Sequence, residues 1–112
     1  MTYNQGDIVL LPFPFSNNTG SKKRPAVIIL NVKVNSTKDI ILAQITSNAR
    51  ADDFSFIIKN SDVTRSLDGY SEIRCNKIFT AEKELVYQKI SSLKTGVYEE
   101  VLEIIITLLN KK

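Results

Sequence analysis

Between Lys22 and Leu30, three cations (Lys22, Lys23 and Arg24) run directly into Pro25 and five apolar residues, Ala26-Val27-Ile28-Ile29-Leu30. A β-branched run of this length is too short for a helix and fits a buried strand. Pro25 has no N–H to donate and a fixed φ, so it sets the start of that strand. The stretch therefore joins a charge cluster to a core element. Arg24 is held at a strand mouth, where a guanidinium fork has the fixed geometry that phosphate recognition needs. The same three cations also read as a solvated loop rim.

Strands continue on both sides of this stretch. Gly6-Asp7 leads into Ile8-Val9-Leu10-Leu11, a first strand ended by Pro12-Phe13-Pro14-Phe15, and the two prolines make that ending piece an edge or an extended exit. Ser16 to Ser21 is a loop of small polar residues. The second strand is predicted from Pro25 to Val32 and the third from Ile40 to Thr46, joined as a hairpin by a turn at Asn35 to Asp39. Phe54 to Ile58 follows with Phe54 and Phe56 on one face, then an Asp68-Gly69 turn signal, then an alternating strand from Ser71 to Thr80. Leu85 to Leu93 reads as strand or connector. From Gly96 the period becomes helical, with Val97, Val101, Ile104, Ile105 and Leu108 in a stripe that Tyr98, Leu102 and Leu109 widen. Thr95 is the candidate N-cap, with Glu99 and Glu100 in the first turn. The stripe is wider than one face of a small barrel needs. That leaves Leu102 or Leu109 for a contact with another chain, or for burial within the monomer. The expectation is one domain, residues 1–112, mainly β with a C-terminal α-helix: a small β-barrel or rolled sheet.

Composition narrows the chemistry. There is no histidine and a single cysteine, Cys75, which removes Ser-His-Asp and Cys-His nucleophile systems, an internal disulfide and the common zinc sites. No cofactor or metal is expected. No signal-peptide pattern or membrane-length apolar run is evident, so the protein is expected in the cytoplasm. Residues 22–50 carry six cations against Asp39, a net of +5 within an overall charge of +3. A polyanion is a fitting partner for that segment. If the second and third strands pair, Arg24 faces Thr46 and Ser47, a guanidinium opposite two hydroxyls that could cradle a phosphodiester. Thr46 and Ser47 also read simply as a strand running into a turn.

Four stretches in this order resemble the MazF/PemK family of toxin ribonucleases: Gly6-Asp7-Ile8-Val9, Lys23-Arg24-Pro25-Ala26-Val27-Ile28-Ile29, Gln44-Ile45-Thr46-Ser47, and Ile73-Arg74-Cys75-Asn76-Lys77-Ile78 ahead of the amphipathic helix. The resemblance implies an SH3-like β-barrel with a terminal helix, working as a homodimer. It implies an endoribonuclease toxin of a toxin–antitoxin system that cuts single-stranded RNA, mRNA included, without a metal, by 2′-hydroxyl attack on the adjacent phosphate. The partner would be a small acidic cognate antitoxin. Carried over, Arg24 stabilises the pentavalent phosphate and protonates the leaving oxygen, and Thr46 works opposite it. Ser47 adjoins Thr46 as a substrate contact and the Ser16 to Ser21 loop gates RNA, while Lys22, Lys23, Asn48, Arg74 and Asn76 complete the candidate substrate-binding residues. Some members carry Arg-Cys-Asp, whose carboxylate is a base, where this chain has Arg74-Cys75-Asn76, and many carry arginine at Phe79. An amide cannot serve as a base at neutral pH. The alternative is a non-catalytic SH3-like module that binds RNA or protein.

Overall fold

The computed structural model describes residues 3–12, 22–29, 37–50 and 52–110. Within them six strands form one antiparallel sheet: β1 (Asp7–Pro12), β2 (Lys23–Ile28), β3 (Asp39–Thr46), β4 (Ser55–Ile57), β5 (Glu72–Glu82) and β6 (Gln88–Ser92), followed by helix α1 (Thr95–Leu109). The order across the sheet is β4-β5-β3-β2-β1-β6. Its two edges are drawn together by the segment after β4. Val63 bridges Leu93, Thr64 N–H bonds Ser92 O at 2.9 Å, and Lys94 N–H bonds Asp62 O at 3.0 Å. The sheet thus curls into a half-barrel, as the mainly β expectation with a terminal helix requires.

Alternation along the strands buries both faces of this sheet. On the helix side Ile8, Val27, Ala43, Ile45, Ile73 and Cys75 pack with Tyr98, Val101 and Ile105 of α1. On the other side Val9, Leu11, Ala26, Ile28, Ile40, Leu42 and Phe79 form a second core with Tyr3. Central strands covered on both sides read as continuous apolar runs, which is why Ala26 to Ile29 has no polar member. Gly6 stitches three elements: its N–H bonds Ile28 O and its C=O accepts Leu93 N–H, both at 2.8 Å. Its φ of +88° is a conformation that favours glycine.

Several boundaries differ from the sequence reading. β2 begins at Lys23, two residues before Pro25, and ends at Ile28. Pro25 is tolerated inside it because it lies opposite Leu10 of β1, while pairing with β3 starts only at Ala26. The hairpin of β2 and β3 forms as expected. Phe13 to Phe15, the Ser16 to Ser21 loop, Leu30 to Val32 and Asn35-Ser36 lie outside the described residues. β4 is only three residues long. Gln88–Ser92 is a true strand although Ile90 is its one aliphatic residue, because backbone pairing with β1 and bonds from Ser91 and Ser92 hold it. The helix starts one residue earlier than expected. Lys94 is the N-cap, its backbone N–H bonded to Asp62 O, and it makes no side-chain cap bond because an ammonium has no acceptor; Thr95 is already helical, and Glu99 and Glu100 fall in the second turn. Of the wide stripe, Tyr98, Val101 and Ile105 are buried, Val97, Leu102 and Ile104 are half-buried, and Leu108 and Leu109 are exposed. Among the described residues no helix is long and apolar enough to cross a membrane.

Candidate functional site

The starts of β2 and β5 and the end of β3 meet at one end of the sheet. Ala26 pairs with Gln44 and Val27 with Ala43, so extending that register two residues sets Arg24 level with Thr46. On the other side of β3, Thr46 pairs with Glu72 and Gln44 with Arg74. By alternation from Ala26, Leu42 and Ile28, the side chains of Arg24, Gln44, Thr46, Glu72 and Arg74 share the face away from α1. The second apolar core therefore gives way to a polar mouth at this end.

Each group in the mouth has its own setting. Arg24 is exposed, with its backbone paired to Leu11 of β1. Thr46 is buried and its Oγ1 accepts the Asn48 N–H at 3.2 Å, turning the chain so that Ser47 and Asn48 are exposed. Arg74 is half-buried, and among the described residues its Nε is buried without a hydrogen-bond partner. Asn76 lies in a bulge: β5 pairs Arg74 with Gln44 and next Ile78 with Ala43, so Cys75, Asn76 and Lys77 are extra residues in the ladder. Cys75 turns inward, its N–H bonded to Phe54 O at 3.2 Å, and Asn76 is exposed. Burial, with Asp52 adding to it, pushes the Cys75 thiol up to about 11, so it stays protonated. Lys22 is exposed, and the Lys23 ammonium sits 4.6 Å from the centre of the exposed Tyr87 ring. Phe79 is 8% exposed and paired with Leu42, so here that position serves the second core.

Sequence reading did not single out Glu72. It is 3% exposed, yet its Oε1 accepts the Arg50 N–H at 3.3 Å and its Oε2 accepts the Tyr70 hydroxyl. The alternation of Glu72, Ile73, Arg74 and Cys75 held the signal, because it puts Glu72 on the face of Arg74. A groove of about 450 Å³ is lined by Pro25, Arg65, Leu67, Ser71 and Gln88 among others. A larger hollow of about 550 Å³, lined by Thr37, Lys38, Glu82, Lys83 and Glu84, sits at the opposite end of β3. Among the described residues no three His, Cys, Asp or Glu side chains are gathered as a metal site.

Solved structures share this curled antiparallel sheet with one terminal helix. MazE–MazF from Deinococcus radiodurans superposes with a TM-score of 0.79 at 18% identity, covering 100% of each chain. An endoribonuclease from a mycobacterial species gives 0.78 at 17% identity, over 97% of this chain and 92% of the other. A mycobacterial endoribonuclease in complex with its cognate antitoxin gives 0.74 at 19%, over 94% and 92%. The model of PemK-like, MazF-like toxins of type II toxin–antitoxin systems matches residues 4–109, and the chain belongs to that family. A search of curated protein sequences found no relative.

Proposed function

We propose that this toxin is a metal-independent endoribonuclease that cleaves single-stranded RNA, mRNA included, by attack of a ribose 2′-hydroxyl on the adjacent phosphate. The observation that carries this reading is the register that levels Arg24 with Thr46 at a mouth also lined by Arg74. Arg24 supplies positive charge to the pentavalent phosphate and a proton to the departing 5′-oxygen. Thr46 holds the phosphate from the facing strand. Lys22, Lys23, Ser47, Asn48, Arg74 and Asn76 contact the RNA chain. The protein works in the cytoplasm as a homodimer restrained by a cognate acidic antitoxin. Ile106, Leu108 and Leu109, exposed on α1, give such a partner an apolar surface. Purified protein should cut a long single-stranded RNA in EDTA, leaving 2′,3′-cyclic phosphate ends. Binding without cutting would instead mark a non-catalytic module.

Two further outcomes follow from the placement of the polar groups. RNA affinity should fall steeply with salt, since each phosphate neutralised on a single strand contributes a log–log slope of about −0.7. Replacing Lys22 and Lys23 together by alanine should flatten that slope, measured by fluorescence anisotropy across a salt series. An unchanged slope would make these lysines a solvated rim. Asn76, exposed on its bulge, has no proton equilibrium near neutrality and contributes hydrogen bonds alone. Asn76→Ala should weaken RNA binding modestly and keep the single-turnover rate at saturating RNA within about tenfold, roughly 1.4 kcal/mol. A collapse in rate with binding intact would place Asn76 in the chemical step.

A further inference from the structure

Attack by a 2′-hydroxyl requires a group to take its proton, and Asn76, an amide, cannot be that group. The sheet brings a different carboxylate to the site. Glu72 is the direct cross-strand partner of Thr46, a relation that sets the two Cβ atoms about 4.5–5.5 Å apart. Nearly all of Glu72 is covered, but the Tyr70 ring whose hydroxyl donates to its Oε2 is 43% exposed. One end of this pair is therefore inside the protein and the other is open to a substrate. The phenolic oxygen, having given its proton toward Glu72, keeps lone pairs to accept another.

We propose that Tyr70 and Glu72 form a proton relay that acts as the general base of the cleavage reaction, an inference that rests on the RNA-cleaving reading above. The ribose 2′-O–H bond breaks and its proton passes to the Tyr70 oxygen as the Tyr70 proton passes to Glu72 Oε2. The 2′-oxygen bonds to phosphorus while the P–O5′ bond breaks, and the 5′-oxygen takes a proton from Arg24. Water then restores the proton to Arg24 and removes the one on Glu72. The hydrogen bond to Glu72 raises the Tyr70 pKa, so the phenol stays protonated between turnovers and conducts a proton without carrying a charge. Among the described residues, the charged and titratable groups on the side of Glu72 are Tyr70, Arg50 through its backbone N–H, Arg74 on the same strand and face, and Arg24 at the mouth. Its neighbours Thr46 and Gln44 on β3, and Ser55 and Ile57 on β4, do not titrate.

A purely structural role would have Glu72 fasten the Ser47 to Arg50 turn through the Arg50 N–H. Single-turnover cleavage of a single-stranded RNA as a function of pH separates the two. Wild type should lose rate on the acid side, as a general base requires. Tyr70→Phe and Glu72→Gln should each cut the rate by about 10²–10⁴-fold with RNA binding retained, and should abolish that acid limb. Glu72→Asp should keep the limb at a reduced rate. Tyr70 is exposed, so its variant tests the relay even if Glu72→Gln folds poorly. Loss of rate in Glu72→Gln with the acid limb intact, or a wild-type profile in Tyr70→Phe, would overturn the relay. Wild-type protein that binds the RNA without cutting it would fail the underlying reading, whereas a dead Arg24→Ala beside an unaffected Tyr70→Phe removes the relay alone.

Discussion

Arg24→Ala should slow RNA cleavage by about 10²–10³-fold, equivalent to roughly 2.7–4 kcal/mol of lost transition-state stabilisation, while leaving the protein folded. The size comes from what a fixed hydrogen-bond donor contributes when charge builds on a reacting oxygen. Arg24 has the required fixity because its backbone is paired to Leu11 and the next residues, Pro25 and Ala26, lead straight into the core. Its own side chain is exposed, so its removal uncovers no apolar surface and leaves no cavity. Lysine in its place would keep the charge but lose the planar fork, and should recover only part of the rate. The measurement is the single-turnover rate at saturating RNA, with a thermal melt to confirm the fold. A folded Arg24→Ala protein that cuts at the wild-type rate would remove Arg24 from the chemistry.

Much of this site was legible because it hangs on apolar strands. The runs Ile8-Val9, Ala26 to Ile29 and Ile40 to Ile45 define β1, β2 and β3, and pairing β2 with β3 as a hairpin brings Arg24 toward Thr46. Elements held by backbone pairing instead of by apolar pattern were harder to see. β6 is largely polar and exists because β1 offers it a partner edge, and the start of α1 is set by Asp62, more than thirty positions away in sequence. The bulge that carries Asn76 outward is invisible in the sequence, since nothing in Cys75-Asn76-Lys77 announces three extra residues. Glu72 was hidden for a related reason. Beside Ser71 it looks like the polar half of an alternating strand, and its proximity to Thr46 follows only from the register of β3 against β5.

The same strand supplies the largest expected effect on stability. Ile73 sits between Glu72 and Arg74 on β5 and points to the opposite face, where it is fully buried with Val101, Ile105 and Ile45. It pairs with Ile45 on one side and Phe56 on the other, so no edge of its surroundings is free to collapse inward. Ile73→Ala removes buried methyl and methylene groups and leaves a cavity beneath α1, a change that costs about 2–5 kcal/mol. Against a total stability of roughly 5–15 kcal/mol for a domain of ordinary size, that is a large fraction. The urea midpoint should fall markedly with little change in slope. Glu72 and Arg74 are placed by the backbone that Ile73 anchors. Activity measured well below the new midpoint should therefore fall far less than stability does, because the ladder to β3 still fixes both neighbours. An Ile73→Ala protein with an unshifted midpoint would mean that α1 does not rest on β5 as the core requires.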